Sequence, residues 1–406
     1  MNLTHAMALL LLATLVVGAA HAAEEAAATP TGLRVGPGAT LWLGGAPCRG
    51  IGMNYFSAFS RTLAKGDDTS YLEGLDVLRK WEIPFIRFMA CGFWPKDWAL
   101  YLEDSVEYFR RFDAFVKAAE DRGLGLIPSL LWFDATVPDL VGEPRNQWGD
   151  PESKTMAFMR RYVGEVVSRY VHSTAIWAWE LGNEYNLSVD LPNAADHRPP
   201  LVPHWGSPAT RSEADDMTHD MIVTAFTEFA KEVRRYDAAR PITTGNSIPR
   251  PAAHHMRIEQ AWTHDTPQEF AENLIAVTPE PMSLVSIHMY PDARKRFGRE
   301  NVPYEQLLAL CLDAAADAGK ALFVGEFGAS DAPDAGGLEA ARTEIAAQLS
   351  ALEHSGVPLA AFWVFDLAQQ GDSTSVSETN QRGYVLSAIR DTNRRIWRST
   401  ATTDAP

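Results

Sequence analysis

The stretch Ala175-Ile176-Trp177-Ala178-Trp179-Glu180-Leu181-Gly182-Asn183-Glu184 reads as a buried strand that ends in a carboxylate. Its first five residues are apolar without alternation, the pattern of a strand covered on both faces. A second stretch, Ala321-Leu322-Phe323-Val324-Gly325-Glu326-Phe327-Gly328, has the same form and also delivers a glutamate at its tail. Six further runs are short, apolar and often β-branched: Cys48–Tyr55, Pro84–Ala90, Leu124–Trp132, Pro241–Asn246, Leu284–Tyr290 and Leu359–Asp366. Helical periods separate them. Phe109, Phe112, Val116 and Ala119 form one apolar stripe, stopped by Gly123. Tyr162, Val166 and Tyr170 form another, behind an expected N-cap at Asp150 followed by Pro151. Ser212, Pro303 and Gly337 sit near later helix starts, and Gly319 and Gly356 near stops.

Eight strand-helix units with right-handed crossovers predict an α/β fold, a (β/α)8 TIM barrel in a single domain. The runner-up, an open doubly wound sheet, lacks its usual signal, because no G-x-G-x-x-G follows the first strand. A short hairpin, Leu33–Val35 with Thr40–Leu43, is placed to plug the barrel floor, and the last helix is expected over Arg382–Trp397. The resulting domain runs over residues 32–398, after a signal peptide at 1–22 and a flexible lead-in at 23–31, and before a polar tail at 399–406.

The signal reading rests on the apolar run Met7 to Ala20 and the small-x-small site Ala20-His21-Ala22, although no Lys or Arg precedes the run. It implies a secreted or periplasmic protein, free of the membrane once the signal is cleaved. The chain has 406 residues, 46% of them hydrophobic, and a formal net charge of -16. That charge disfavours nucleic acid and anionic lipid and suits a neutral substrate, though plain solubility explains it as well. Three cysteines, Cys48, Cys91 and Cys311, are too few for a disulfide framework. Cys48 and Cys91 are expected at opposite ends of the strand layer, so free thiols follow. Oligomeric state leaves no mark in the sequence.

The segments that leave strand ends are long: Cys91–Glu103, Phe133–Asp150, Tyr185–Arg211 and Ser247–Asp265. In a barrel that puts the elaboration on the C-terminal face, where active sites sit. These loops carry Phe93, Trp94, Trp98, Trp148, Trp205 and Trp262. About a third of them are expected to touch a ligand and the rest to pack loop against barrel. The segment Tyr185–Arg211, rich in proline, is placed to wall off one end of a cleft.

At the strand ends stand Asn54-Tyr55, Arg87, Asn183-Glu184, His288-Met289-Tyr290, Glu326 and Trp363. Singly these are weak signals; at one end of successive strands they converge on one cavity. Two carboxyl groups there are the minimum equipment for cleaving a glycosidic bond, one protonated to expel the leaving group and one ionised. Arg87 and Tyr290 are placed to hold an ionised carboxylate, Asn183 to bond a sugar 2-hydroxyl, His288 to orient the acid, and Trp363 to floor the sugar. Glu180 reads as an interior hydrogen-bonding residue ahead of a third catalyst. His254-His255 shows no carboxylate at ligand spacing, so no metal is assigned, and no cofactor. Asn246 and Asp366 either line the rim or satisfy backbone groups.

Trp179-Glu180-Leu181-Gly182-Asn183-Glu184, His288-Met289-Tyr290, Gly325-Glu326-Phe327-Gly328 and Phe362-Trp363 together resemble the signature blocks of clan A glycoside hydrolases, most closely glycoside hydrolase family 5, the family of many cellulases and β-mannanases. The resemblance covers the barrel from about Pro47 to Asp366. It implies a retaining, double-displacement hydrolase of a β-linked oligo- or polysaccharide, of β-mannan or β-glucan type. In it Glu184 is the acid/base, Glu326 is the nucleophile, and Arg87, Asn183, His288, Tyr290 and Trp363 are supporting positions; with Asn54 and Trp132 from the strand ends, these are the expected substrate-binding residues. Where family 5 members often have a histidine near the end of strand three, this chain reads Leu131-Trp132-Phe133-Asp134, so Trp132 or Asp134 stands at that sugar site. Two alternatives remain: a non-catalytic carbohydrate-binding barrel, and a transglycosylase using the same residues.

Overall fold

In the computed structural model, which describes residues 32–403, the apolar runs become eight parallel strands: β1 (Gly50–Asn54), β2 (Phe85–Met89), β3 (Gly125–Ser129), β4 (Trp179–Glu180), β5 (Ile242–Thr243), β6 (Leu284–Met289), β7 (Ala321–Phe327) and β8 (Leu359–Phe362). Every residue in them is buried, which explains the absence of alternation in the sequence. The strands pair in the order β5-β4-β3-β2-β1-β8-β7-β6. The seam between β5 and β6 carries a backbone hydrogen bond from Ser283 N to Ile242 O at 3.2 Å. This is the (β/α)8 barrel that the spacing predicts. The signal peptide and lead-in expectations fall on residues 1–31, outside the described residues.

Eight main helices follow the strands in turn: α1 (Ser70–Lys80), α2 (Ser105–Glu120), α3 (Lys154–Tyr170), α4 (His219–Arg234), α5 (Pro267–Ala276), α6 (Tyr304–Asp317), α7 (Gly337–Ser355) and α8 (Tyr384–Thr403). The α2 stripe packs as read, with Phe112 stacked on Phe59 at 4.5 Å between ring centroids. Two helix starts differ from the expectation. Ser153, not Asp150, caps α3, its hydroxyl accepting from Met156 N at 3.1 Å, while Asp150 closes the preceding turn onto Glu152 N. Ser212 caps a short 3-10 turn, and α4 begins seven residues later behind Thr218. In both cases a later hydroxyl offered the same cap chemistry nearer the apolar period. The last helix also runs past Trp397 to Thr403, into the segment expected as a tail.

The floor is closed as expected. Leu33–Val35 pairs antiparallel with Leu41–Leu43, and Leu33 N donates to Trp177 O at 3.1 Å. Leu33 and Leu41 pack with Phe85, Ile127, Leu284 and Phe323 at the bottom of the barrel. Cys48 packs against this floor, whereas Cys91 follows β2 at the other end and accepts a bond from Trp132 N. The cysteines are free, and burial pushes the Cys91 thiol up to about 12.

Two strands are shorter than their apolar runs. β4 pairs only over Trp179–Glu180 and β5 only over Ile242–Thr243, because the chains converge just above them. A Cβ on Gly245, whose φ is +74°, would fall 1.9 Å from Gly182 O, and one on Gly182 would fall 2.5 Å from Leu131 O. Only glycine fits that approach. Beyond it Glu184 is turned over in a left-handed conformation, φ 56°, which swings its side chain toward the barrel mouth. A non-glycine residue there is uncommon and strained, a state often found at functional positions.

Candidate active site

The interior of the barrel is a polar column built on Arg87, which is fully buried. Its Nε donates to Glu180 Oε1 at 2.8 Å and Oε2 at 3.0 Å. Nη1 reaches Asn54 Oδ1 at 3.0 Å and Glu326 Oε1 at 2.8 Å, and Nη2 reaches Asn183 Oδ1 at 2.8 Å. One guanidinium thus ties β1, β2, β4, the turn after β4 and β7 together. A buried arginine is tolerable only when its donors are met, and two carboxylates supply the counter-charge. Burial pushes the Glu180 carboxyl up, against the pull of Arg87. Glu180 is thus the interior hydrogen-bonding residue expected from its position.

Glu326 is aimed by an irregularity in its strand. The β6–β7 register shifts between Val324 and Glu326, so that Glu326 lies opposite His288. A bulge of this kind re-aims a side chain. Gly325 sits in it, where a Cβ would lie 2.9 Å from His288 Nε2. Glu326 Oε2 accepts from the Tyr290 hydroxyl at 2.7 Å, so both oxygens of this nearly buried carboxylate are held by donors. Glu184 carries a more open side chain, 30% exposed, and its Oε1 lies 2.8 Å from His288 Nδ1. Burial raises the pKa of Glu184. The hydrogen bond and charge of His288, the Ser247 hydroxyl and the charge of Arg87 outweigh it, and the carboxyl sits below the usual glutamate range.

One donor atom from each of Glu184, His288 and Glu326 lies within 4.8 Å of the other two. The two carboxylates therefore share one cavity. It is the one such three-residue cluster among the described residues; an imidazole with two carboxylates would suit zinc, but an ion there would occupy the groups available for acid-base work.

The cavity has a volume of about 940 Å³. Glu184, Glu326, Asn183, Tyr290, Trp132 and Trp363 all face it. Trp363 stacks near Trp132 at 6.0 Å and 29°, and its Nε1 is held by Gln370 Oε1 at 2.8 Å. Trp132 covers Arg87, whose Cζ lies 4.6 Å from the ring centroid. At the end of β3 it is Trp132 that faces the main cavity, while Asp134 is taken up by Arg145 at 3.0 Å. Asn54 lies beneath, its Nδ2 on Gly325 O at 2.9 Å, and holds Arg87 instead of lining the open cavity. Of the six loop aromatics, Phe93 and Trp205 line the cavity, whereas Trp98 and Trp148 are fully buried packing residues.

Other readings divide. Asn246 is buried on backbone groups such as Val277 O and does not reach the rim. Asp366 bonds Arg61 and Tyr55. His254 and His255 do face carboxylates, contrary to the spacing argument: Asp265 at 3.0 Å from His255 and Glu269 at 3.8 Å from His254, both brought in by the chain's return into α5. Phe56, Ser247 and Gln370 also belong to the site. Phe56 packs edge-on to Trp132 at 4.9 Å, and no local motif marks any of the three.

A family model described as "Cellulase (glycosyl hydrolase family 5)" matches residues 46–367. A mannan endo-1,4-beta-mannosidase A of Podospora anserina is 38% identical over 81 residues, 18% of this chain and 21% of that protein. The protein of the same name from Hypocrea jecorina is 31% identical over 152 residues, 32% of this chain and 33% of its own length. The chain thus spans a third or less of the length of these two relatives. The crystal structure of an endo-1,4-beta-mannanase from Rhizomucor miehei superposes with a TM-score of 0.62 at 13% identity, covering 91% of this chain and 100% of that one, and shares the fold.

Proposed function

The chain belongs to the cellulase family, glycosyl hydrolase family 5, and on that premise we propose that it is a retaining β-glycoside hydrolase with Glu326 as nucleophile and Glu184 as acid/base. The observation that carries the reading is the approach of the two carboxylates, with oxygens inside 4.8 Å of each other across one cavity. Retention needs carboxyl groups roughly 5–5.5 Å apart; inversion needs about 6.5–9.5 Å, to admit a water.

In the first step a Glu326 oxygen attacks the anomeric carbon while the Glu184 proton passes to the departing glycosidic oxygen. The C–O bond breaks and a glycosyl ester forms. Arg87 and Tyr290 hold the Glu326 carboxylate in place before attack, which removes orientational freedom from the reacting pair. The ester is uncharged, so Glu184 loses a like-charged neighbour and its ionised form is favoured. In the second step Glu184 takes a proton from water, the hydroxide attacks the same carbon, and Glu326 leaves as carboxylate. Asn183, oriented by Arg87, lies one residue from the acid and in this reading bonds the sugar 2-hydroxyl. Trp363 and Trp132 offer ring faces to the sugar.

A β-mannan is the preferred substrate in this reading, because the relatives with detectable sequence identity carry mannan endo-1,4-beta-mannosidase names. Export as a secreted or periplasmic protein is part of the same proposal. A release assay on mannan, glucomannan, cellulose and xylan with product-size readout tests the substrate. Reducing ends from mannan or glucomannan are expected, and no release from any of the four would overturn the hydrolase reading.

A further inference from the structure

Next to the main cavity a second hollow of about 390 Å³ opens, sharing Phe93, Trp132, Asn183 and Glu184 but reaching neither Glu326 nor Trp363. If Glu184 is the acid, the departing group leaves on its side, so on the proposed function this hollow receives the unit beyond the cleaved bond. Three arginines line it. Arg145 is neutralised by Asp134 at 3.0 Å, and Arg198 by a two-bond contact with Asp216 at 2.7 and 2.9 Å. Arg250 forms no ion pair with a carboxylate among the described residues. Its Nε donates to Leu187 O at 2.9 Å, and Nη1 and Nη2 have no partner among the described residues. Burial lowers its pKa and only the charge of Glu184 opposes this, yet an arginine keeps its proton. A lone half-buried cation is unexpected in a chain of net charge -16, whose general field repels anions.

A planar fork with two open donors matches a carboxylate. We infer that this hollow is a leaving-group subsite for a carboxylate-bearing unit, held by Arg250. The bound anion also places negative charge near Glu184, which favours the protonated acid that the first step requires.

Two sources supply such a carboxylate, a uronic acid sugar or an aromatic acid. One arm compares 4-carboxyphenyl with 4-carbamoylphenyl β-mannoside, which differ in charge at the same position. The other titrates glucuronate against glucose by calorimetry, which needs no turnover. A preference for the charged partner of about 10-fold in either arm is expected, and it identifies the source. Arg250→Gln is expected to erase that ratio and Arg250→Lys to keep part of it, whereas an arginine that only anchors Leu187 would move neither ratio. Equal handling of charged and neutral partners in both arms overturns the inference. If neither mannoside is cleaved while glucuronate still binds selectively, the subsite stands and the hydrolase reading falls.

Discussion

Arg87 and Glu326 meet at 2.8 Å inside the barrel, and the same guanidinium holds Glu180 at 2.8 Å, so the proposed nucleophile is one branch of a buried ion network. The exposed surface of Arg87 and Glu180 is nil and that of the Glu326 side chain is 6%. Loss of any member leaves charge stranded in a low-dielectric interior, which couples site geometry to folding stability.

Arg87→Met is therefore expected to strand Glu180 and to cost about 3–5 kcal/mol of stability. Adding Glu180→Leu removes the orphaned carboxylate and should recover much of that loss, while activity stays absent because Glu326 and Asn183 remain unsupported. Denaturant midpoints of the wild type, the two single variants and the double variant measure the coupling. Additive losses would show that the two residues do not act as a buried pair.

Glu326→Ala is expected to lower turnover by at least about 10⁴-fold, the scale at which loss of a nucleophile is felt. Azide can enter the vacated space and attack the anomeric carbon of an activated aryl β-glycoside, giving an α-glycosyl azide. Partial rescue with that stereochemistry, read by proton NMR, is the expected result. Unchanged activity in the variant would remove Glu326 from the mechanism.

The carboxylates, Arg87, His288 and Trp363 were legible because strand-end chemistry in a barrel needs only the period of the chain and the direction of its strands. The contacts of Arg87 and Tyr290 with Glu326 and of His288 with Glu184 were legible too, whereas the full reach of Arg87 was not. That Arg87 serves Glu180, Asn54, Asn183 and Glu326 at once depends on barrel closure, which brings β7 beside the column. Ser247, Gln370 and Arg250 lie on loops, where no periodicity marks a direction. The carboxylates facing His254 and His255 were missed for a similar reason, since Asp265 and Glu269 return from a later turn at spacings no ligand motif uses. The helix starts at Asp150 and Ser212 slipped because capping residues cluster in the same loops and local sequence does not rank them.

The pH dependence follows from the Glu184–His288 contact. The contact favours the carboxylate and holds the Glu184 pKa low. In the proposed mechanism the first step needs Glu184 protonated, so kcat/KM is expected to fall as pH rises through that pKa. His288→Gln takes away the largest lowering influence and leaves burial unopposed by it, so the pKa rises and the basic limb of kcat/KM should move to higher pH. Ser247 and Arg87 still lower it, which keeps the shift partial. For stability the sign is that of a depressed carboxylate: the contribution is present above the unfolded pKa of about 4.3 and is lost as pH falls through the folded value. Wild type and Glu184→Gln should therefore converge in stability toward low pH. A basic limb that stays in place in His288→Gln would show that the imidazole does not tune the acid.

Glu184→Gln separates the two steps. Glutamine donates a hydrogen bond but cannot deliver a proton, so a substrate with a poor leaving group should lose both steps. With a dinitrophenyl glycoside the leaving group departs unaided, and Glu326 should still be glycosylated at a rate near that of the wild type. Hydrolysis of the ester then lacks its base and should slow by about 10²–10⁴-fold, the usual contribution of general base catalysis. The expected signature is a burst of one dinitrophenolate per chain followed by slow turnover, with a glycosyl adduct on the intact protein by mass spectrometry. The Glu326 peptide should carry the mass. A burst without an adduct, or an adduct elsewhere, would assign the covalent step to another residue.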